Sequence, residues 1–110
     1  MDEPLNLVLF SGTDDKLQAA AVLTAGAAAL GKPVNLFLQY WALDAFRAAG
    51  QASWAETLRL AKELGGVDIQ ACSLSMDLLH LEATDLDPLV GVEGVTAFHL
   101  NAGDGQIVFL

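Results

Sequence analysis

Residues 67–78 read VDIQACSLSMDL. The first five predict a short strand, and Ser73 or Ser75 can cap a helix that runs to about Leu81. The chain's one cysteine, Cys72, therefore falls between a strand and a helix. Parallel strands need such crossovers, so this stretch predicts a unit of an α/β fold.

The same alternation extends over the rest of the chain. Strands are predicted over residues 5–10, 34–38 and 106–110, and helices over residues 14–30, 43–49 and 53–64. Residues 92–101 fit either state, and we favour a short helix that begins near Glu93. This order predicts one domain over residues 1–110, a three-layer α/β sandwich with a mainly parallel sheet of about five strands.

Local signals mark the ends of the two long helices. Thr13 or Asp14 can cap the first, and Ser53 with Glu56 forms the S-x-x-E pattern of a capping box at the start of the second. Glycines at positions 31 and 65 follow the last periodic residues of these helices and are expected to end them.

Composition limits the classes of partner. The chain has 110 residues, of which 54% are hydrophobic, and a formal net charge of -9. This apolar fraction exceeds the usual ~45–50% and points to self-association. The basic residues are scattered and form no stripe, which excludes a nucleic-acid partner and a basic membrane-binding face. They are Lys16, Lys32, Arg47, Arg59 and Lys62.

The sequence predicts a cytoplasmic protein without a metal centre. Its first residues are acidic where a secretion signal would be basic. Its most apolar stretch, residues 19–30, is shorter than the roughly 20 residues that a membrane span needs. One cysteine allows neither an internal disulfide nor a cysteine-based zinc site. His80 and His99 have no carboxylate at ligand spacing, so we expect no metal.

Two loops after predicted strands supply a candidate pocket, formed by Ser11, Gly12, Thr13, Tyr40 and Trp41. Ligands of open α/β sheets bind beyond the carboxyl ends of the strands. The first loop is neither G-x-G-x-x-G nor a Walker A sequence, so helix capping is its alternative role. The two aromatic residues suit a pocket wall, or alternatively a core or an interface.

Cys72 is the candidate reactive group. Backbone N–H groups of the turn formed by Ser73, Leu74, Ser75 and Met76 would point toward its sulfur, and a helix N-terminus favours the thiolate. Burial and the carboxylate at position 77 oppose ionisation. An inert buried cysteine is therefore the alternative.

Three segments resemble a known family. Residues 71–78, ACSLSMDL, resemble the motif A-C-[S/T]-x-S-M-D of the single-cysteine DsrE-type branch of the DsrE/DsrF-like family. Residues 60–65 and 91–98 are similar to other segments of that branch. The resemblance implies an α/β sandwich, assembly as trimers or hexamers, and sulfur relay between donor and acceptor proteins.

The resemblance makes a cytoplasmic sulfur-relay protein our leading hypothesis. Cys72 would accept sulfane sulfur as a persulfide and pass it to a partner carrier, as a sulfurtransferase or sulfur carrier does, without a metal or organic cofactor. An alternative is a non-catalytic oligomeric module that binds a small ligand or a protein at the strand ends, with Cys72 incidental. A flavin enzyme is a third hypothesis, disfavoured because a phosphate-binding motif is missing.

Overall fold

The computed structural model describes residues 3–47, 50 and 52–110, and helices and strands alternate along it. In chain order they are β1 (Leu5–Leu9), α1 (Asp14–Ala29), β2 (Val34–Leu38), α2 (Trp41–Arg47), α3 (Ser53–Leu64), β3 (Val67–Cys72), α4 (Ser73–Leu78), a 3-10 turn (Ala83–Asp85), β4 (Gly91–Glu93), α5 (Val95–Ala102) and β5 (Ile107–Phe109).

The five strands form one sheet in the order β4-β3-β2-β1-β5, and every pairing is parallel. The fold class expected from the sequence is confirmed. β1 and β2 pair along their whole length, from Leu5 opposite Val34 to Leu9 opposite Leu38. Within the described chain, β2, β3 and β4 follow one another on one side of β1, and β5 lies on its other side. The connection from β4 to β5 therefore crosses the sheet in the opposite direction from the earlier connections.

The larger core lies on one face of the sheet. Leu7, Leu36 and Ile69 point into it from the three central strands, because alternate strand residues face the same side. The helices α1 and α3 pack against each other and help to cover this face. Each fully buried large apolar side chain contributes roughly 1.5–3 kcal/mol, so this core dominates the stability of the fold.

The alanine-rich helix α1 is explained by this packing. Ala20, Ala21, Ala27 and Ala28 are all buried in the larger core. Small side chains let the backbone of α1 come close to its neighbours. These four alanines therefore serve packing within the chain.

The opposite face holds a much smaller cluster under α5. It consists of Val8, Phe37, Cys72 and Phe98. Phe98 and Ala102 are the buried residues of α5. This thin layer completes the three-layer arrangement and places the cysteine within it.

Several local expectations need correction. The helix predicted over residues 43–49 begins earlier, at Trp41, and is described to Arg47, since residues 48 and 49 lie outside the described residues. The helix after Cys72 ends at Leu78 and not at Leu81. The preference for a helix within residues 92–101 is confirmed by α5, but residues 91–93 form a strand that was not predicted. That strand exists through pairing with β3, which no local pattern encodes.

The predicted capping box of α3 is wrong. Ala52 occupies the N-cap, and no side-chain capping hydrogen bond is found there among the described residues. The Ser53 hydroxyl instead donates to Gln18 Oε1 at 3.0 Å, and Glu56 accepts a hydrogen bond from Arg59 at 2.6 Å. A contact distant in the chain thus engages Ser53, and a neighbour one turn along α3 engages Glu56, so neither side chain caps the helix. At α1, Thr13 is the N-cap residue, also without a side-chain capping bond in the described chain.

Arg59 holds the segment before β4 against α3. Its Nη2 donates to Asp87 Oδ2 at 2.8 Å and to the carbonyl of Gly50 at 2.8 Å. The hydrogen bond to Asp87 is the main reason that the pKa of Arg59 lies above its usual value. This contact fixes where the chain turns into β4, at the edge of the sheet next to Cys72.

Candidate functional site

The connections that follow β3 and β4 leave the sheet on opposite faces. β3 continues into α4, whose Met76 enters the larger core, whereas β4 continues into α5 on the opposite face. Adjacent strands whose connections leave on opposite faces open a crevice, which is where parallel α/β sheets bind ligands. Cys72 is the last residue of β3 and stands at this point.

Cys72 is nearly sealed from solvent. Only 1% of its surface is accessible, and it belongs to the apolar cluster under α5. The rings of Phe37 and Phe98 stack in that cluster with centroids 4.8 Å apart. A reagent can therefore reach the sulfur only if the cover over this cluster moves.

The turn after Cys72 differs from the sequence-based expectation. Cys72 itself, and neither Ser73 nor Ser75, occupies the N-cap of α4. In the described part of the chain, its side chain accepts no capping hydrogen bond. The side chain packs in the apolar cluster beneath α5. Ser75 and Met76 are buried, and Leu74 is exposed. The thiolate-stabilising role of this turn stays a prediction.

A carboxylate that sequence reasoning missed lies beside the cysteine. Glu93 pairs directly with Cys72 across the parallel ladder, so the two side chains leave the same face of the sheet. Asn101 Nδ2 donates to Glu93 Oε2 at 3.4 Å. Burial, and secondly the charge of Asp68, raise the pKa of Glu93 above its ordinary value. No local signal could have identified this residue, because β4 itself was not predicted.

We expect Glu93→Gln to stabilise the protein at neutral pH. Because the pKa is raised on folding, the folded state binds the proton more tightly, and ionisation above that pKa works against the fold. The variant should therefore have the higher Tm at pH 7, and the difference should shrink as the pH falls toward 4.5, the ordinary value, and be absent below it. Thermal unfolding at several pH values measures this. A gain that does not depend on pH would contradict it.

The two candidate loops do come together. A Cβ atom added at Gly12 would lie 2.4 Å from the carbonyl oxygen of Trp41, so the loops touch through their backbones. The Ser11 and Thr13 hydroxyls hydrogen bond to each other at 3.0 Å, and Thr13 also donates to Asp15 at 2.5 Å. This bond is the main reason that the pKa of Asp15 is lowered. The polar groups of this loop are thus engaged with one another.

Aromatic side chains form a patch beyond the carboxyl ends of β1, β2 and β5. Phe10 stacks on Tyr40 with ring centroids 5.7 Å apart, and Phe109 lies 6.0 Å from Phe10. Tyr40 also meets Trp41 edge to face at 4.8 Å and has a positive φ of 46°. Sequence analysis identified Tyr40 and Trp41 but not the two phenylalanines, which strand pairing brings to them.

A groove of about 440 Å³ lies next to Ser73, the residue that directly follows Cys72. Ser73, Met76, Asp77, Leu81, Glu82, Ala83 and Val92 line it. Of these, the sequence analysis named only Ser73 and Met76 as site residues. A smaller depression of about 160 Å³ lies at the opposite end of the sheet, near Pro4 and Gln106, far from the cysteine.

Two further findings concern the described residues. These residues contain no group of three or more His, Cys, Asp or Glu side chains that could hold a metal ion. No helix within them is long and apolar enough to cross a membrane.

Fold and site together define a parallel α/β sandwich protein with one cysteine at the carboxyl edge of its sheet. The chain belongs to the DsrE/DsrF/DrsH-like family, whose profile matches residues 1–64. This match ends with α3, so β3 and the cysteine motif lie beyond it.

Relatives support the same fold. The uncharacterized protein YrkE of Bacillus subtilis (strain 168) is 25% identical, over 92% of each chain. The structure of the protein of unknown function MTH1491 from Methanobacterium thermoautotrophicum has a TM-score of 0.70 at 14% identity, over 99% of this chain and 100% of that one. The ychN protein from E. coli has a TM-score of 0.69 at 15% identity, over 96% and 99%.

Proposed function

We propose that this protein relays sulfur through Cys72. The Cys72 thiolate attacks the outer sulfur of a persulfide, R–S–SH. The S–S bond of the donor breaks, the donor leaves as the thiolate R–S⁻, and Cys72 carries the persulfide. A thiolate of the acceptor then attacks that outer sulfur and regenerates the Cys72 thiolate. Both steps are thiol–persulfide exchanges, so no external oxidant, metal or organic cofactor is needed.

The observation that carries this proposal is the position of Cys72. It ends β3 at the point where connections leave the sheet on opposite faces, the place at which this architecture binds ligands. Membership of the DsrE/DsrF/DrsH-like family supports the same reaction class. We also propose that residues 1–110 act as one domain, in keeping with the Cα radius of gyration of 12.6 Å.

The burial of Cys72 requires an opening step. Phe98 belongs to the apolar cluster around the sulfur and, with Ala102, is the buried part of α5. An element with so few buried contacts belongs to the low-stability end of a fold and can open locally. We propose that displacement of α5 admits the sulfur donor.

Intact-mass measurement after incubation with a low-molecular-weight persulfide tests the function. We expect the folded protein to gain the mass of one sulfur atom, and the Cys72→Ser variant to gain nothing. Ser73→Ala is the matched control, because it changes the adjacent side chain and keeps the thiol. If only the unfolded protein reacts, Cys72 is inert and the proposal is wrong.

The burial of Cys72 also favours a second candidate, an oligomeric module in which the cysteine is a packing residue. Large apolar side chains remain exposed, including Leu30 at 68%, Leu100 at 77% and Phe109 at 65%. Such surface suits assembly with further copies, as the family resemblance implies for trimers or hexamers. Light scattering gives the assembly state, and slow alkylation of Cys72 in the native assembly would favour this candidate over sulfur relay.

A further inference from the structure

Charge is distributed very unevenly along the chain. All five basic residues lie at or before Lys62. Beyond it the chain has eight acidic residues and no lysine or arginine, namely Glu63, Asp68, Asp77, Glu82, Asp85, Asp87, Glu93 and Asp104. The structure folds most of this segment into β3, α4, β4 and α5, so the β4 side of the sheet is rich in carboxylates, of which Asp87 is paired with Arg59 of α3.

The 440 Å³ groove lies on this acidic side. Its floor and walls include Met76, Leu81 and Val92, which are apolar, and its rim has the carboxylates of Asp77 and Glu82. Its volume lies in the ~300–1,000 Å³ range of known binding clefts. The groove thus combines apolar contact with negative charge.

The rim of the groove is held in place by the turn that follows it. The backbone N–H of Glu82 donates to Asp85 Oδ2 at 2.8 Å, and the Glu82 side chain accepts from the N–H of Asp85. This reciprocal pair fixes the 3-10 turn, so Glu82 is presented at the groove without having to be ordered on binding. A preorganised site loses less entropy when a partner binds.

An edge strand runs beside the groove. β4 is the last strand of the sheet on this side, and Val92, which is 43% exposed, contributes its side chain to the groove. Edge strands accept extended peptides through main-chain hydrogen bonds, while neighbouring pockets take alternate side chains. Leu74 and Leu78, both 61% exposed on α4, enlarge the apolar surface next to it.

We propose that this groove docks an extended segment of a partner protein that carries both basic and apolar side chains. The apolar side chains enter between α4 and β4, and the basic side chains meet Asp77 and Glu82. A second copy of this chain is a poor occupant, because each copy has a net charge of -9 and presents the same acidic side. Ser73, which lines the groove, directly follows Cys72 in the chain. The role of the partner as a sulfur donor or acceptor therefore rests on the proposed function.

Titration with a synthetic peptide tests the groove. The probe is the capped heptapeptide Lys-Leu-Lys-Val-Lys-Leu-Lys, and its counterpart has glutamate at every lysine position. Affinity is measured by fluorescence anisotropy, and the site is mapped by NMR of the ¹⁵N-labelled protein. We expect the basic peptide to bind at least about tenfold more tightly and to shift the amides of Met76, Leu81 and Val92.

Matched variants separate the groove from general charge attraction. Val92→Thr and Val108→Thr make the same change on the two edge strands, at residues that are 43% and 40% exposed. Asp77→Asn and Asp104→Asn each remove one exposed carboxylate, inside and outside the groove. The groove variants should each weaken binding by about threefold to tenfold, and the controls by less than twofold. Equal effects within either pair, shifts that map elsewhere, or no preference for the basic peptide would overturn the inference.

The outcome is separable from that of the proposed function, because sulfur uptake on Cys72 is read from the protein mass without any peptide. Uptake with no peptide binding would overturn the groove alone. Peptide binding with no uptake would leave the groove in place and overturn sulfur relay.

Discussion

Phe98→Ala is expected to lower the free energy of unfolding by about 3–5 kcal/mol, the usual cost of removing a buried phenylalanine ring. Phe98 is 2% exposed and stacks on Phe37, and the cluster that it completes has four members among the described residues. A loss of this size is a large part of the ~5–15 kcal/mol by which domains are stable. Urea unfolding followed by circular dichroism measures it.

The same variant is expected to expose Cys72. If α5 covers the thiol and Phe98 holds α5 down, losing about 3 kcal/mol of docking energy raises the open population on the order of 100-fold. The rate of alkylation by iodoacetamide under native conditions should rise in proportion. An unchanged rate would show that α5 is not the cover and that the proposed entry route for the donor is wrong.

Phe109→Ala provides the matched control. Phe109 is also a phenylalanine that contacts another ring, but it is 65% exposed and lies outside the Cys72 cluster. Its removal should cost less than about 1 kcal/mol and leave the alkylation rate of Cys72 unchanged. If the two variants lose similar stability and raise the alkylation rate of Cys72 equally, Phe98 has no special role in covering the thiol.

Gly12→Ala and Gly26→Ala are expected to shift stability in opposite directions. At Gly12 the new Cβ would lie 2.4 Å from the carbonyl oxygen of Trp41, and a backbone atom cannot move aside cheaply. Overpacking of this kind costs about 1–3 kcal/mol. At Gly26, inside α1, a Cβ meets nothing within 4 Å, so the change should gain roughly 0.5–1 kcal/mol from helix propensity.

Thermal unfolding distinguishes the pair, because 1 kcal/mol corresponds to several degrees in the Tm of a domain of this size. A lower Tm for Gly12→Ala and a higher Tm for Gly26→Ala would establish that the loops after β1 and β2 are in close contact. If Gly12→Ala is as stable as the parent, the two loops are not in close contact and have room to enclose a ligand.

Local signals explain which elements could be predicted from the sequence. β2 and α3 have the predicted bounds, and α1 ends one residue before the predicted Leu30. Each combines a continuous apolar or periodic run with a glycine or another stop signal, and all of this information is local. β4 was missed because its three residues become a strand only by pairing with β3. The predicted capping box is wrong because the Ser53 hydroxyl donates its hydrogen bond to Gln18, which is 35 residues away in the chain.

The sequence by itself determined the fold class and the place of Cys72 between a strand and a helix, because hydrophobic periodicity and stop signals act over a few residues. Only the tertiary structure decided the strand order, and with it that β3 and β4 send their connections to opposite faces. It also placed Glu93 beside Cys72, put Phe98 in the same cluster, and opened the acidic groove at the β4 edge. These contacts join residues that are distant in the chain, and their geometry is set by packing of the whole sheet.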